Sequence, residues 1–577
     1  MQKPVALSLA AFLLSSAPVW ASSPQAYDIL IRNGEIYDGS GGAPFRGEVA
    51  IKDDRIAYVG RKAPESAAKV IDAGGKAVSP GFINMLSWAT DSLIADPRGL
   101  SDLKQGVTLE VMGEGSSMGP WSPGMKQLET QRMGDIKYDI AWTSLDEYMS
   151  WLTKRGVAVN VASFVGAATV RENVLGEGDV DPSPEQLAQM RKLVAQAMED
   201  GALGVGSSLI YAPGNYAETP ELIALATEAG RCGGMYISHM RSEADRLLEA
   251  IDELIEISKA SGAPAEIYHL KQAGKTNWDK LDPAIARIEA ARAAGHRITA
   301  DMYTYTAGST GLDAAMPPWV QAGGVETWIS RMQDPATRAK VIAEMRQEQP
   351  AFENLYRHAG AEGTLLVGFK NPALKHLTGK TLAQVAKDRG VSPEDAAIDL
   401  VIEDGSRVQV VYFLMSEENV ARQTALPWMS FGSDASAQAP EGVFLKSSTH
   451  PRAYGNFARL LGKYVREDKT TSLADAVRRL SAYPAQNLGL KDRGMLKVGY
   501  HADVVLFDPQ TIGDVGTYEQ PQQFATGVRD VIVNGKLVLQ DGQPTGELSG
   551  QVVRGRGWKG WADGGCRLSA KDWSWAW

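Results

Sequence analysis

The feature that most constrains the fold is a repeat of texture: between residues 78 and 433 short apolar runs alternate with amphipathic stretches. The runs are Val78 to Met85, Val107 to Met112, Val157 to Val165, Ala202 to Leu209, Met235 to His239, Ala265 to His269, Ile298 to Tyr303 and Trp428 to Ser433. Short apolar runs without alternation fit strands buried on both faces, and helices between them supply the crossovers of a parallel sheet. Ser183-Pro184-Glu185-Gln186 opens one helix with capping-box spacing and Thr219-Pro220 opens another. Leu247, Ile251, Leu254 and Ile255 recur at helical spacing until Gly262. Eight strand–helix units predict an α/β fold, a (β/α)8 TIM barrel over residues 81–490, although an open doubly wound sheet has the same periodicity. The interval from Gly308 to Trp428 reads as helical and loop material, an insertion around 310–427 after the seventh strand.

Both flanks read differently. Residues 22–80 and 491–555 hold short alternating runs with tight turns, such as Asn33-Gly34 and Asn534-Gly535, which predict antiparallel strands and hairpins. They are expected to pair into one small β-sandwich built from both ends of the chain. Residues 556–577 form an aromatic tail with Trp558, Trp561, Trp573, Trp575 and Trp577, read as packing onto the body. At the start, Lys3, the apolar stretch Val5 to Leu14 and the small residues ending Val19-Trp20-Ala21 read as a secretory signal peptide over residues 1–21, cleaved after Ala21. An uncleaved N-terminal anchor is the alternative. The expected location is periplasmic or secreted. The apolar stretch is too short for a stop-transfer helix and no other segment is long enough, so no membrane span is expected in the mature chain. Two cysteines, Cys232 and Cys566, make no disulfide scaffold, and the sequence leaves open whether they pair. With 59 Lys+Arg against 69 Asp+Glu, the net charge is −10 and no basic run exists, which excludes nucleic acid as the natural partner.

Of seven histidines, two hold matching positions: His239 and His269 end adjacent candidate strands. In a barrel the C-terminal strand ends converge on the active-site mouth, where two imidazoles reach one metal. Asp434, after Gly432-Ser433, faces the same mouth and suits a general base that orients a water and takes its proton; capping a turn is its alternative role.

This arrangement resembles the amidohydrolase superfamily, and specifically the N-acyl-D-amino-acid deacylases. The resemblance runs from about Tyr27 to Gly555. It rests on Ser79-Pro80-Gly81-Phe82-Ile83, Ser207-Ser208-Leu209-Ile210-Tyr211-Ala212-Pro213-Gly214, Ile237-Ser238-His239, His269-Leu270-Lys271, Tyr303-Thr304-Tyr305-Thr306-Ala307-Gly308-Ser309-Thr310, Gly432-Ser433-Asp434 and His450-Pro451-Arg452. It implies zinc-dependent hydrolysis of the amide of an N-acyl amino acid, of D configuration. It also implies His239 and His269 as zinc ligands, Asp434 as acid/base, and Tyr211, Lys271, Tyr303, Ser309 and Arg452 around the substrate.

The chain departs from that family at two places. A His-x-His pair is expected at the end of the first strand, where this chain has Leu86-Ser87-Trp88, and no His-x-His occurs anywhere in it. A Cys ligand is expected after the second strand, where it has Val111-Met112-Gly113-Glu114-Gly115. Glu114 is the substitute of competent chemistry, although a simple alignment sets Gly115 opposite the Cys. One zinc per chain follows as the expectation, held by His239, His269 and Glu114. Lys271 and Arg452 are cations suited to a substrate carboxylate. Two rivals stand beside this reading. One is a serine hydrolase with Ser117 of Gly115-Ser116-Ser117-Met118-Gly119 as nucleophile and His450 as base, though Pro120, Pro123 and Gly124 break the helix its elbow requires. The other is a catalytically impaired carboxylate-binding homologue.

Overall fold

The computed structural model describes residues 27–64, 66–348, 352–562 and 565–566. The signal-peptide reading and Trp573, Trp575 and Trp577 lie outside them. All eight apolar runs contain strands, and all pair in parallel. One sheet runs Met429–Phe431, Ile298–Met302, Ala265–Ile267, Met235–His239, Gly204–Ser208, Val165–Gly166. A second runs Phe82–Asn84, Val107–Met112, Asn160–Ser163. The ladders are therefore two arcs and not the single closed ring of a regular barrel. The interruption has a local cause at Phe164, whose N–H donates to Met112 O at 2.8 Å and divides the third strand between the arcs. At the seams the Met85 N–H donates to Phe431 O at 3.1 Å and the Leu203 N–H to Ser163 O at 3.0 Å.

The run Val78 to Met85, expected as one strand, is two. Ala77–Pro80 joins the sheet of the chain ends and Phe82–Asn84 joins the parallel arc, with Gly81 as the hinge. A Cβ at Gly81 would sit 2.1 Å from Thr108 Oγ1, so the crossing admits only glycine. The two ends of the chain meet where Ala77–Pro80 pairs antiparallel with Val504–Phe507, in a single nine-stranded mixed sheet. Its apolar layer includes Ile31, Ile36, Val49, Ile51, Val504, Leu506 and Ile532. Asn534 (φ 48°) and Gly535 (φ 77°) make the tight hairpin turn between Val528–Val533 and Lys536–Gln540.

Helices follow their sequence signals. Ser183 closes both arms of a capping box on Pro184–Glu199, and Gly262 ends Leu247–Ser261 in the left-handed conformation. The insertion is more than helix and loop: Ala307–Gly311, Gln409–Phe413 and Thr364–Gly368 form a three-stranded antiparallel sheet. These strands are only five residues long, too short for periodicity to separate them from buried helical turns. A disulfide joins Cys232 to Cys566 and ties the tail to the end of the helix Thr219–Arg231. Trp558 and Trp561 pack edge to face with centroids 5.0 Å apart. Among the described residues no helix is long and apolar enough to cross a membrane.

The Gly81 hinge is directly testable. Gly81→Val is expected to destabilise the fold by about 1–3 kcal/mol, the usual cost of overpacking, read as a lowered denaturant midpoint. A wild-type midpoint would show that the crossing tolerates a side chain.

Candidate active site

The site is assembled at the C-terminal ends of the parallel strands. His239 is the last residue of Met235–His239, and His269 follows Ala265–Ile267 by two. His269 (φ 34°) and Asp434 (φ 49°) both take left-handed backbone, a turn that His and Asp tolerate better than most residues and that recurs at functional sites. Each is held there by the neighbouring strands. The His269 N–H donates to Asp301 Oδ1 at 2.9 Å, and the Asp434 N–H donates to Leu86 O at 2.9 Å. Asn84, at the end of the first strand, donates to Glu110 Oε2 (2.9 Å) and Ser433 Oγ (2.8 Å), and its Oδ1 accepts the Ser433 N–H (2.8 Å). A buried amide thus fixes the residue immediately before Asp434.

Glu114, His239 and His269 meet as a buried triad. Glu114 Oε1 lies 3.1 Å from His239 Nδ1 and 2.9 Å from His269 Nε2, and the two nitrogens are 3.0 Å apart. Ligands at 2.05 Å in a tetrahedron stand about 3.3 Å from one another, so these three atoms span a single-ion site with little adjustment. The carboxylate that meets the two imidazoles belongs to Glu114. Gly115 (φ +69°) packs so closely that a Cβ there would lie 2.4 Å from Ser208 Cβ, leaving no room for a ligating side chain. Where a first-strand His pair was missed in the sequence, Trp88 instead donates Nε1–H to Glu114 Oε2 (2.9 Å) and Asp434 Oδ1 (3.2 Å).

Burial pushes the Glu114 carboxyl up, but the two imidazoles outweigh it and hold it well below the usual carboxylate range. For His269, burial and Lys271 oppose the charged ring, yet Glu243 and Glu114 raise its pKa to about 10. Burial lifts Asp434 above its ordinary value, partly opposed by Arg452, whose Nη2 lies 2.8 Å from Asp434 Oδ2. Arg452 stacks 4.4 Å over the Tyr303 ring, and burial holds the Tyr303 hydroxyl protonated. Arg452 Nε and Nη1 and the Tyr303 hydroxyl are buried without hydrogen-bond partners among the described residues.

The remaining expected residues gather here in different roles. Tyr211 packs edge-on against His239, ring centroids 5.2 Å apart. Ser309 spends its hydroxyl on Val410 O (3.0 Å), while its carbonyl accepts from Arg452 Nη2 (3.3 Å). Lys271 lies beside His269, but its Nζ is engaged by Glu243 Oε1 at 2.5 Å. Glu243 and Asn84 carry no sequence signal beyond their proximity to His239 and the first strand; only packing reveals them. The serine hydrolase reading fails on geometry. The Ser117 hydroxyl donates to Gly119 O (2.6 Å), and His450 is committed at both nitrogens, donating to Ala307 O (2.9 Å) and accepting the Arg452 N–H (2.9 Å).

Parallel strands that bring a carboxylate and two imidazoles to their C-terminal ends, with a further carboxylate beside them, make a buried cluster able to hold a metal ion. The chain belongs to the amidohydrolase family, whose model matches residues 69–539. It is 31% identical to the N-acyl-D-glutamate deacylase of Alcaligenes xylosoxydans xylosoxydans over 91% of this chain and 96% of that one. Its structure is similar to that of the Bordetella bronchiseptica N-acyl-D-glutamate deacylase complexed with zinc and a phosphonate inhibitor (TM-score 0.75, 28% identity, 92% of this chain and 100% of that one). It is equally similar to a D-aminoacylase whose binuclear metal center is described by one-metal activation and second-metal attenuation (TM-score 0.75, 29% identity, 92% and 100%).

Because a charged imidazole has no lone pair for a metal, the raised His269 pKa sets a sign: below about 10 the metal must displace a proton. Loading the metal-free chain with zinc near neutral pH should release about one proton, and affinity should rise with pH. Calorimetry in buffers of different ionisation heat checks this; uptake without proton release would contradict it.

Proposed function

We propose that this protein is a zinc-dependent amidohydrolase that cleaves the amide bond of N-acyl-D-amino acids. The observation that carries the reading is the buried Glu114, His239 and His269 triad beside Asp434, in a chain similar over nearly its whole length to N-acyl-D-amino-acid deacylases. The donor set fits one zinc per chain, with Leu86 and Trp88 offering no ligand where a second ion would need them. When bound, zinc supplies Lewis acidity toward the amide carbonyl and acidifies a water.

The chain's own residues supply the rest. Asp434, with its raised pKa, takes the proton of the attacking water and returns it to the leaving amine. The Arg452 guanidinium, with Nε and Nη1 unpartnered, and the Tyr303 hydroxyl receive the substrate carboxylate. Ser309 orients Arg452 through its carbonyl, Tyr211 walls the site beside His239, and Lys271 adds positive potential from behind His269. An impaired carboxylate binder is not favoured: Glu114, His239 and His269 supply a metal donor set, and Asp434 beside them suits the acid/base role that the hydrolase reading calls for. The two parallel arcs, joined at their seams, support reading residues 81–490 as one irregular (β/α)8 barrel, with residues 22–80 and 491–555 as its companion sandwich. The N-terminal segment and the disulfide support export to an oxidising compartment.

Asp434→Asn is expected to keep the fold and the zinc while lowering kcat by about 10²–10⁴; near-wild-type turnover would remove Asp434 as acid/base. Arg452→Met should impair substrates with a free carboxylate far more than their amidated analogues, measured as separate kcat/KM values. Equal losses on both would refute the carboxylate assignment. Metal analysis after dialysis should find close to one zinc per chain, lost in His239→Ala and in His269→Ala; two tightly held ions would overturn the single-site reading.

A further inference from the structure

Behind the triad lies a second buried carboxylate, that of Glu243. Glu243 is buried four residues past His239, and its two oxygens face the rear of both histidines. Glu243 Oε1 is 2.9 Å from His269 Nδ1, and Glu243 Oε2 is 3.6 Å from His239 Nε2. The two rings are turned in opposite senses, His269 presenting Nε2 and His239 presenting Nδ1 to Glu114 Oε1. A neutral imidazole has one lone pair and one N–H, so a ring that gives its front nitrogen to a metal carries its proton at the rear. Both rear nitrogens face this one carboxylate: His269 Nδ1 lies at hydrogen-bonding distance, with Lys271 Nζ also 2.8 Å from it, and His239 Nε2 stands 3.6 Å away, buried with no hydrogen-bond partner among the described residues.

Resting on the zinc reading above, we propose that Glu243 is a positioning residue that sets the tautomers of both imidazole ligands, one carboxylate oxygen to each ring. A wrong tautomer would point an N–H at the ion and remove a ligand outright. Lys271, 2.5 Å from Glu243 Oε1, balances the buried charge so that the carboxylate accepts the imidazole protons as hydrogen bonds. The main chain of Glu243 is itself clamped. Its N–H and the Ser242 hydroxyl donate to the two oxygens of Glu353 at 2.8 and 2.7 Å, and its carbonyl accepts the Ala273 N–H at 2.8 Å. Glu353 belongs to the insertion, which thereby reaches the metal ligands through Glu243.

The test uses the full chain stripped of metal and titrated with zinc against a competing chelator. Glu243→Gln keeps the volume but cannot accept from both rings and the ammonium; it should bind zinc about 10–100-fold more weakly. Glu243→Asp, which keeps the charge and loses reach, should fall between, and it decides the matter if Glu243→Gln fails to fold by circular dichroism. In zinc-loaded protein labelled with 15N-histidine, wild type should show protected N–H signals at His269 Nδ1 and His239 Nε2, of which the Gln variant keeps at most one. Zinc affinity within twofold of wild type in a folded Gln variant, with both signals intact, would overturn the proposal while leaving the zinc reading standing. Wild-type protein that takes up no zinc would overturn both.

Discussion

The structure depends on keeping a carboxylate and two imidazoles within hydrogen-bonding distance of one another while all three are buried. Desolvation alone would push Glu114 toward its neutral form, and only the adjacent rings hold it ionised. Such a cluster is costly to bury and contributes little to stability by itself, so the surrounding fold must hold it in place. The parallel arcs do this by delivering each member from a different strand end, and the hydrogen bonds of Asp301, Asn84 and Leu86 lock the turns that aim His269 and Asp434 inward.

The same economy governs the anion side. Arg452 has one arm on Asp434 and two donors left open in a buried position beside the Tyr303 hydroxyl. Buried donors without acceptors are rare because each carries a desolvation cost, and an anionic acceptor such as a carboxylate would relieve it. Trp88 completes the wall. Its single N–H is shared by Glu114 and Asp434, so a neutral donor lies between two carboxylates that would otherwise repel.

Much of the fold was legible because burial on both faces writes parallel strands as continuous apolar runs, and every one of the eight runs holds a strand. The misreadings have local causes. Gly81 divides one apolar run between two sheets because Thr108 fills the space a Cβ would need, and nothing in the run itself records that neighbour. The strands of the insertion are short enough that pattern alone does not separate them from helix.

For the site, the sequence by itself determined the residue types and their order: two imidazoles one strand apart, a glutamate next to the position of an expected thiolate, Asp434 after the last strand, and no histidine pair at the first. Tertiary structure alone decided which atoms face one another. It turned the two rings in opposite senses, set Glu243 behind both, took the Lys271 ammonium for Glu243 and freed the Arg452 donors. The reason is physical. Residue type and strand position follow periodicities of two and of 3.6 along the chain, whereas a hydrogen bond requires two atoms within about 3 Å and aligned, and residues far apart in sequence meet that condition only once the strands have been packed.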